Sequence, residues 1–126
     1  MYKATGFEIP VDNLKRAGKF YQNAFGWKIN PNEGNYYHIE TVKTDKNWVP
    51  WVKGAVNGGM FKRETKNEKL LLVIDVPSIS RALQSVKKAK GKVITGKTPA
   101  GDWGWWAQVK DTEKNVFELW EDKKTA

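Results

Sequence analysis

The 126-residue chain contains no cysteine, a single histidine and two methionines. The missing cysteines exclude disulfides, thiolate metal sites and cysteine nucleophiles. His38 is left as the sole imidazole available to a metal or to proton transfer. No uninterrupted apolar run approaches the roughly 20 residues that a membrane-spanning helix requires. The opening residues, Met1-Tyr2-Lys3-Ala4-Thr5-Gly6, lack the apolar core of a signal peptide, so a cytoplasmic protein with no membrane partner is expected. Negative charge is the scarcer sign, with 14 Asp and Glu against 22 Lys and Arg and a formal charge of +8.

Tryptophan is abundant, with seven residues. Cations with aromatics could bind nucleic acid, phosphates meeting lysines and bases stacking on rings. The lysines, however, are scattered singly or in pairs (Lys15, Lys28, Lys43, Lys53, Lys87-Lys88). That distribution favours a solubilising surface around an aromatic core, and nucleic acid is not expected as a partner.

Along the chain, residues 4–11 alternate as a strand does. Asp12 and Asn13 then offer N-caps, and Leu14, Ala17, Phe20, Tyr21 and Phe25 recur at helical spacing up to Gly26. Strands are expected at 27–29, 35–42 and about 56–63, with an irregular, tryptophan-containing segment (Trp48, Trp51) before the last of these. The pattern then restarts. Leu70 to Val76 reads as a buried strand, Pro77-Ser78 opens a helix that Gly91 ends, and residues 92–95 form a sixth strand. A loop at 97–101 precedes a final hairpin of 103–110 and 116–121. A shift of 65 residues places Leu14 on Ile79, Arg16-Ala17 on Arg81-Ala82, and Gly26 on Gly91. The chain therefore reads as a single domain, 1–126, of two related modules at about 1–65 and 66–126.

Phe7-Glu8-Ile9-Pro10-Val11-Asp12 leading to Phe20-Tyr21-Gln22-Asn23-Ala24-Phe25-Gly26-Trp27 resembles the vicinal oxygen chelate superfamily of glyoxalases, bleomycin-resistance proteins and extradiol dioxygenases. In the second half Gly91-Lys92-Val93-Ile94 and Lys110-Asp111-Thr112-Glu113-Lys114-Asn115-Val116-Phe117-Glu118-Leu119-Trp120 carry the same resemblance. Asn57-Gly58-Gly59-Met60-Phe61-Lys62-Arg63 is similar to the corresponding stretch of small glyoxalase-like proteins. The resemblance implies an α+β fold of two tandem βαβββ modules forming an incomplete barrel around a cavity, and commonly a homodimer. It also implies metal ligands at paired positions, which here fall on Gly6, Leu71, Gly59 and Glu118. Glycine and leucine supply no donor atom, so the expectation is no metal and no cofactor, with a divalent ion at Glu118 the residual alternative.

Without a metal, the candidate chemistry lies in three side chains. Glu8 shares a strand face with Gly6, Glu118 is expected to face the same interior, and His38 alternates with Tyr36 and Glu40. A buried carboxyl among these would have a raised pKa and could act as acid or base. Gly6 and Gly59 are expected to leave open volume. Trp106 and Gln108 are expected beside Glu118 and Trp120, with residues 103, 105, 107 and 109 on the opposite, helix-packed face. Gly6, Glu8, Gly59, Trp51, Trp106, Gln108, Glu118 and Trp120 thus form the candidate binding set for a small organic molecule. A lyase, isomerase or dioxygenase using Glu8, His38 or Glu118 is the competing class, followed by a basic docking module.

Overall fold

The computed structural model describes every residue except Glu33, Trp48 and residues 124–126; the expectation for Trp48 therefore lies outside the described residues. The order of elements is β1 (Lys3–Val11), α1 (Leu14–Phe25), β2 (Lys28–Pro31), β3 (Tyr36–Glu40), β4 (Asn57–Lys62), β5 (Leu71–Asp75), α2 (Ile79–Lys88), β6 (Lys92–Ala100), β7 (Gly104–Lys110) and β8 (Val116–Asp122). This is an α+β fold in which βαβββ occurs twice. The chain divides into two compact units, Gly6–Leu70 and Met1–Thr5 with Leu71–Ala126. No helix among the described residues is long and apolar enough to cross a membrane.

Within Gly6–Leu70 the strands run in the order β2-β3-β4-β1, and β1 pairs with β4 in parallel. Alternation along these strands sends Ile9, Val11, Ile39 and Met60 toward α1, whose Leu14, Ala17 and Tyr21 pack on them. Each fully buried side chain of this size contributes roughly 1.5–3 kcal/mol. The helix approaches closely because Gly18 has no side chain: a Cβ there would lie 3.3 Å from Ile29 and 3.4 Å from Met60. Asn13 caps the helix by accepting from the Arg16 amide, and Gly26 ends it at φ 72°. Both assignments agree with the sequence pattern.

In the other unit the order is β5-β8-β7-β6. Val76, Ile79, Ala82, Ala107, Val109 and Leu119 form its core. Ser78 caps α2 by accepting from the Arg81 amide, 65 residues after Asn13, so the repeat offset holds at the helix starts. Three details differ from the sequence reading. Gly91 does not end α2; the left-handed position falls on Lys90, at φ 74°, and Gly91 instead keeps clear of the Lys110 carbonyl, which a Cβ would approach to 2.8 Å. Strand β6 runs on to Ala100 through Pro99, with register shifts on both sides of Thr95; it is the terminal strand of its order, where a missing N–H is tolerated. Trp103 lies in the turn before β7 and is 70% exposed, so it is not part of the helix-packed face.

Candidate functional site

The face of β7 and β8 opposite α2 carries the polar chemistry of the second unit. Trp105, Ala107, Val109, Phe117 and Leu119 face the core. Strand alternation then puts Trp106, Gln108, Lys110, Glu118 and Trp120 on the other side. The register pairs Trp106 with Trp120 and Gln108 with Glu118, while β5 brings Val73 beside Glu118 and Asp75 beside Trp120. Glu118 thus stands in a row between an amide and a valine. Loss of water around it pushes its carboxyl up from the ordinary 4.5 to about 7. Among the described residues, no side-chain hydrogen bond or ion pair to Glu118 offsets that desolvation. The Trp120 indole donates to Asp122 at 2.5 Å. Asp75 is also raised, by burial and then by the charge of Asp122, with Lys3 opposing.

The corresponding face of Gly6–Leu70 is built around a missing side chain. The register aligns Glu8 with Gly59 and Gly59 with His38, and Asn30 with His38. The Tyr36 hydroxyl donates to Glu8 Oε1 at 2.9 Å. Its phenol crosses the strand over Gly59, where any Cβ would collide with Tyr36 Oη. The volume expected over Gly59 is therefore filled from within, because a long phenol on the neighbouring strand reaches the carboxylate only over a glycine. Tyr36 and His38 meet edge to face at 5.2 Å. His38 keeps an exposed flank; burial lowers its imidazole pKa below the ordinary 6.5, and the nearby Glu40 charge opposes that shift. Glu40 turns to Asn30, whose amide donates to it at 3.2 Å. Within this unit Glu8 accepts from Tyr36, and His38 lies at the edge of that pair.

The other members of the candidate set are placed as follows. Gly6 is buried and pairs with Asn57. Trp51 lies outside the strands and is 69% exposed, in a segment braced by its amide donating to the Lys43 carbonyl at 2.8 Å. Sequence reasoning missed Glu121, which is 8% exposed on the core face. It accepts from the Ile79 amide at 2.8 Å and lies 3.5 Å from Lys97. A carboxylate at a helix N-terminus is favoured by the helix dipole, so Glu121 serves α2.

A chelate does not fit these residues. Of the four positions implied by the resemblance, only Glu118 carries a donor side chain. Among the described residues no group of three or more His, Asp or Glu is placed to hold a metal ion. Two clefts of about 420 Å³ each lie elsewhere in the second unit. One is lined by Tyr2, Lys3, Asp75, Pro77 and Asp122, the other by Ile74, Ala82, Val86 and Phe117 beside α2.

Residues 3–41 match a family model described as bleomycin resistance protein-like N-terminal. Among solved structures, a Streptomyces coelicolor methylmalonyl-CoA epimerase in complex with 2-nitronate-propionyl-CoA is 11% identical with a TM-score of 0.70, over 97% of this chain and 98% of that one. A hypothetical protein from Bacillus halodurans C-125 is 16% identical at TM-score 0.70, over 99% and 97%. The Mn(II)-bound glyoxalase from Novosphingobium aromaticivorans is 15% identical at TM-score 0.62, over 100% of this chain and 44% of that one. None of the curated proteins matches the sequence.

Proposed function

From a chain with the vicinal oxygen chelate fold, we propose a protein that binds a small organic molecule without a metal. The binding surface is the strand face of Trp106, Gln108, Glu118 and Trp120. The observation that carries this reading is Glu118, a carboxyl desolvated on a strand face next to the paired Trp106 and Trp120. A protein gains nothing in stability by desolvating a carboxylate, since burial disfavours its charged form. A ligand that hydrogen-bonds that carboxyl and stacks on the rings would account for both features. Quenching of tryptophan fluorescence by members of an aromatic compound panel, weakened by Trp106→Ala and by Glu118→Ala, is the expected result. A panel that leaves the emission unchanged throughout counts against the proposal.

A second reading draws on the same carboxyl. A glutamate titrating about pH 7 has the pKa of an efficient general acid or base, so an acid–base lyase or isomerase is the alternative class. Turnover of a bound compound that Glu118→Gln abolishes while binding persists would select it. We also propose a homodimer, to be tested by light scattering for twice the 14.4 kDa chain mass.

A further inference from the structure

We propose that the face around Glu118 takes a small planar organic acid, its ring against Trp106 and Trp120 and its carboxylate among Glu118, Gln108 and Lys110. This rests on the binding role proposed above and narrows it to one ligand class. The cations beside this face and the net charge select an acid over an amine, and Gln108 can serve it as a donor. Gln108 lies directly across from Glu118, and its amide can donate to an oxygen. Lys110 is on the same face two residues along β7, within diagonal reach of a group held at Glu118; it pairs with Lys92 of β6, a second cation on that side. The whole chain carries +8, a field that draws anions and repels amines.

The difficulty is Glu118 itself, because two carboxylates repel. Desolvation resolves it: the group titrates about pH 7, so below that pH it is a neutral acid that keeps its proton and shares it with the ligand carboxylate in a hydrogen bond. The carboxylic acid then acts as a hydrogen-bond donor and the ligand keeps its charge beside Lys110. An ammonium ligand would instead sit beside Lys110 and Lys92 and be repelled by both.

The charged groups on the elements around this face are few. Besides Lys110 and Lys92, they are Asp75 on β5, beside Trp120, Asp122 on β8, which holds the Trp120 indole, and Lys3 on β1, whose charge acts on Asp75. Glu121 and Lys97 pair on the core side of the sheet. Asp75 is also raised by burial, so the test must separate its titration from that of Glu118.

Benzoate, benzamide and benzamidine share one shape and differ in charge, and their binding can be followed by calorimetry between pH 6 and 8. Benzoate is expected to bind best at pH 6 and benzamidine worst. Benzoate affinity should fall toward tenfold per pH unit above 7, as loss of one required proton dictates. In Glu118→Gln, which keeps a neutral donor, benzoate binding should persist and lose its pH dependence; an Asp75 origin would leave that dependence in place. Benzamidine binding as tightly as benzoate, or a pH dependence unchanged in Glu118→Gln, overturns the ligand class. If none of the three binds while uncharged aromatics still quench through Trp106, the ligand class falls and the binding role stands. Silence from every compound removes both.

Discussion

At the scale of single residues, Glu118 and Gly59 show how a side chain's surroundings decide its energetics. Burial raises Glu118 from 4.5 to about 7, so the folded chain binds this proton more tightly than the unfolded chain. Between those two pH values the native state holds more protons, and stability therefore falls as pH rises through the window. Below about pH 4.5 both states are protonated and the cost is absent. Above 7 the full cost applies, on the order of 3 kcal/mol. Glu118→Gln should accordingly gain stability over the parent in urea melts at pH 8 and lose that advantage by pH 4. Equal gains at both pH values would contradict the burial argument. Gly59 is explained by Tyr36, whose phenol occupies the Cβ position on its way to Glu8. Gly59→Ala should displace that phenol and cost about 1–3 kcal/mol, the worth of a hydrogen bond to a charged or buried group. In a Tyr36→Ala background the same substitution should be close to neutral, so the double-mutant cycle gives a large coupling energy. Additive effects would mean that the glycine serves the backbone instead.

At the scale of elements, the two helices end differently, and the difference predicts a stabilising change. Gly26 enters the left-handed region at φ 72°, which suits glycine, whereas Lys90 does so at φ 74° with a side chain attached. A left-handed L-residue costs roughly 1 kcal/mol, so Lys90→Gly should raise the melting temperature by a few degrees. Gly26→Ala should lower it by a similar amount. No change in either variant would mean that α2 frays before its end matters. These ends also mark what the sequence could tell. Caps, helix faces and strand alternation were legible because they are local: Asn13 and Ser78 cap as their spacing from the apolar stripe requires, and residues 105, 107 and 109 turn to the core. The placement of Gln108, Trp106 and Trp120 around Glu118 followed from alternation once the hairpin was recognised. The Tyr36–Glu8 pair was not legible, because it depends on the register of three strands brought together from positions 8, 36 and 59. The length of β6 was hidden for a related reason. Glycine and proline in 96–99 read as a loop until it is known that the strand is terminal in its order and bulged.

At the scale of the whole molecule, the repeat has kept its frame and exchanged its chemistry. Both modules align a row across four strands. One runs Glu8, Gly59, His38, Asn30 and the other Val73, Glu118, Gln108, Thr95. The carboxylate has moved from the strand before the helix to the last strand of the module. In the second row burial raises the carboxyl to about 7. Around these acidic rows the chain carries 22 lysines and arginines, so binding to polyanions must be considered as a property of the surface. Lys15, Lys19, Lys43, Lys46, Lys53, Lys87 and Lys88 are spread along the chain. A scattered set of this kind engages only a few phosphates at once, each contact releasing roughly one counterion. Affinity for a labelled DNA duplex, read by fluorescence anisotropy, should therefore fall by about ten- to a hundredfold between roughly 50 and 200 mM salt. Aromatic-ligand binding at the Trp106–Glu118 face depends on stacking and a short-range hydrogen bond, and should weaken far less over the same range. If duplex affinity instead survives the higher salt while the aromatic panel is silent, the cations form a built nucleic-acid surface and the small-molecule function is wrong.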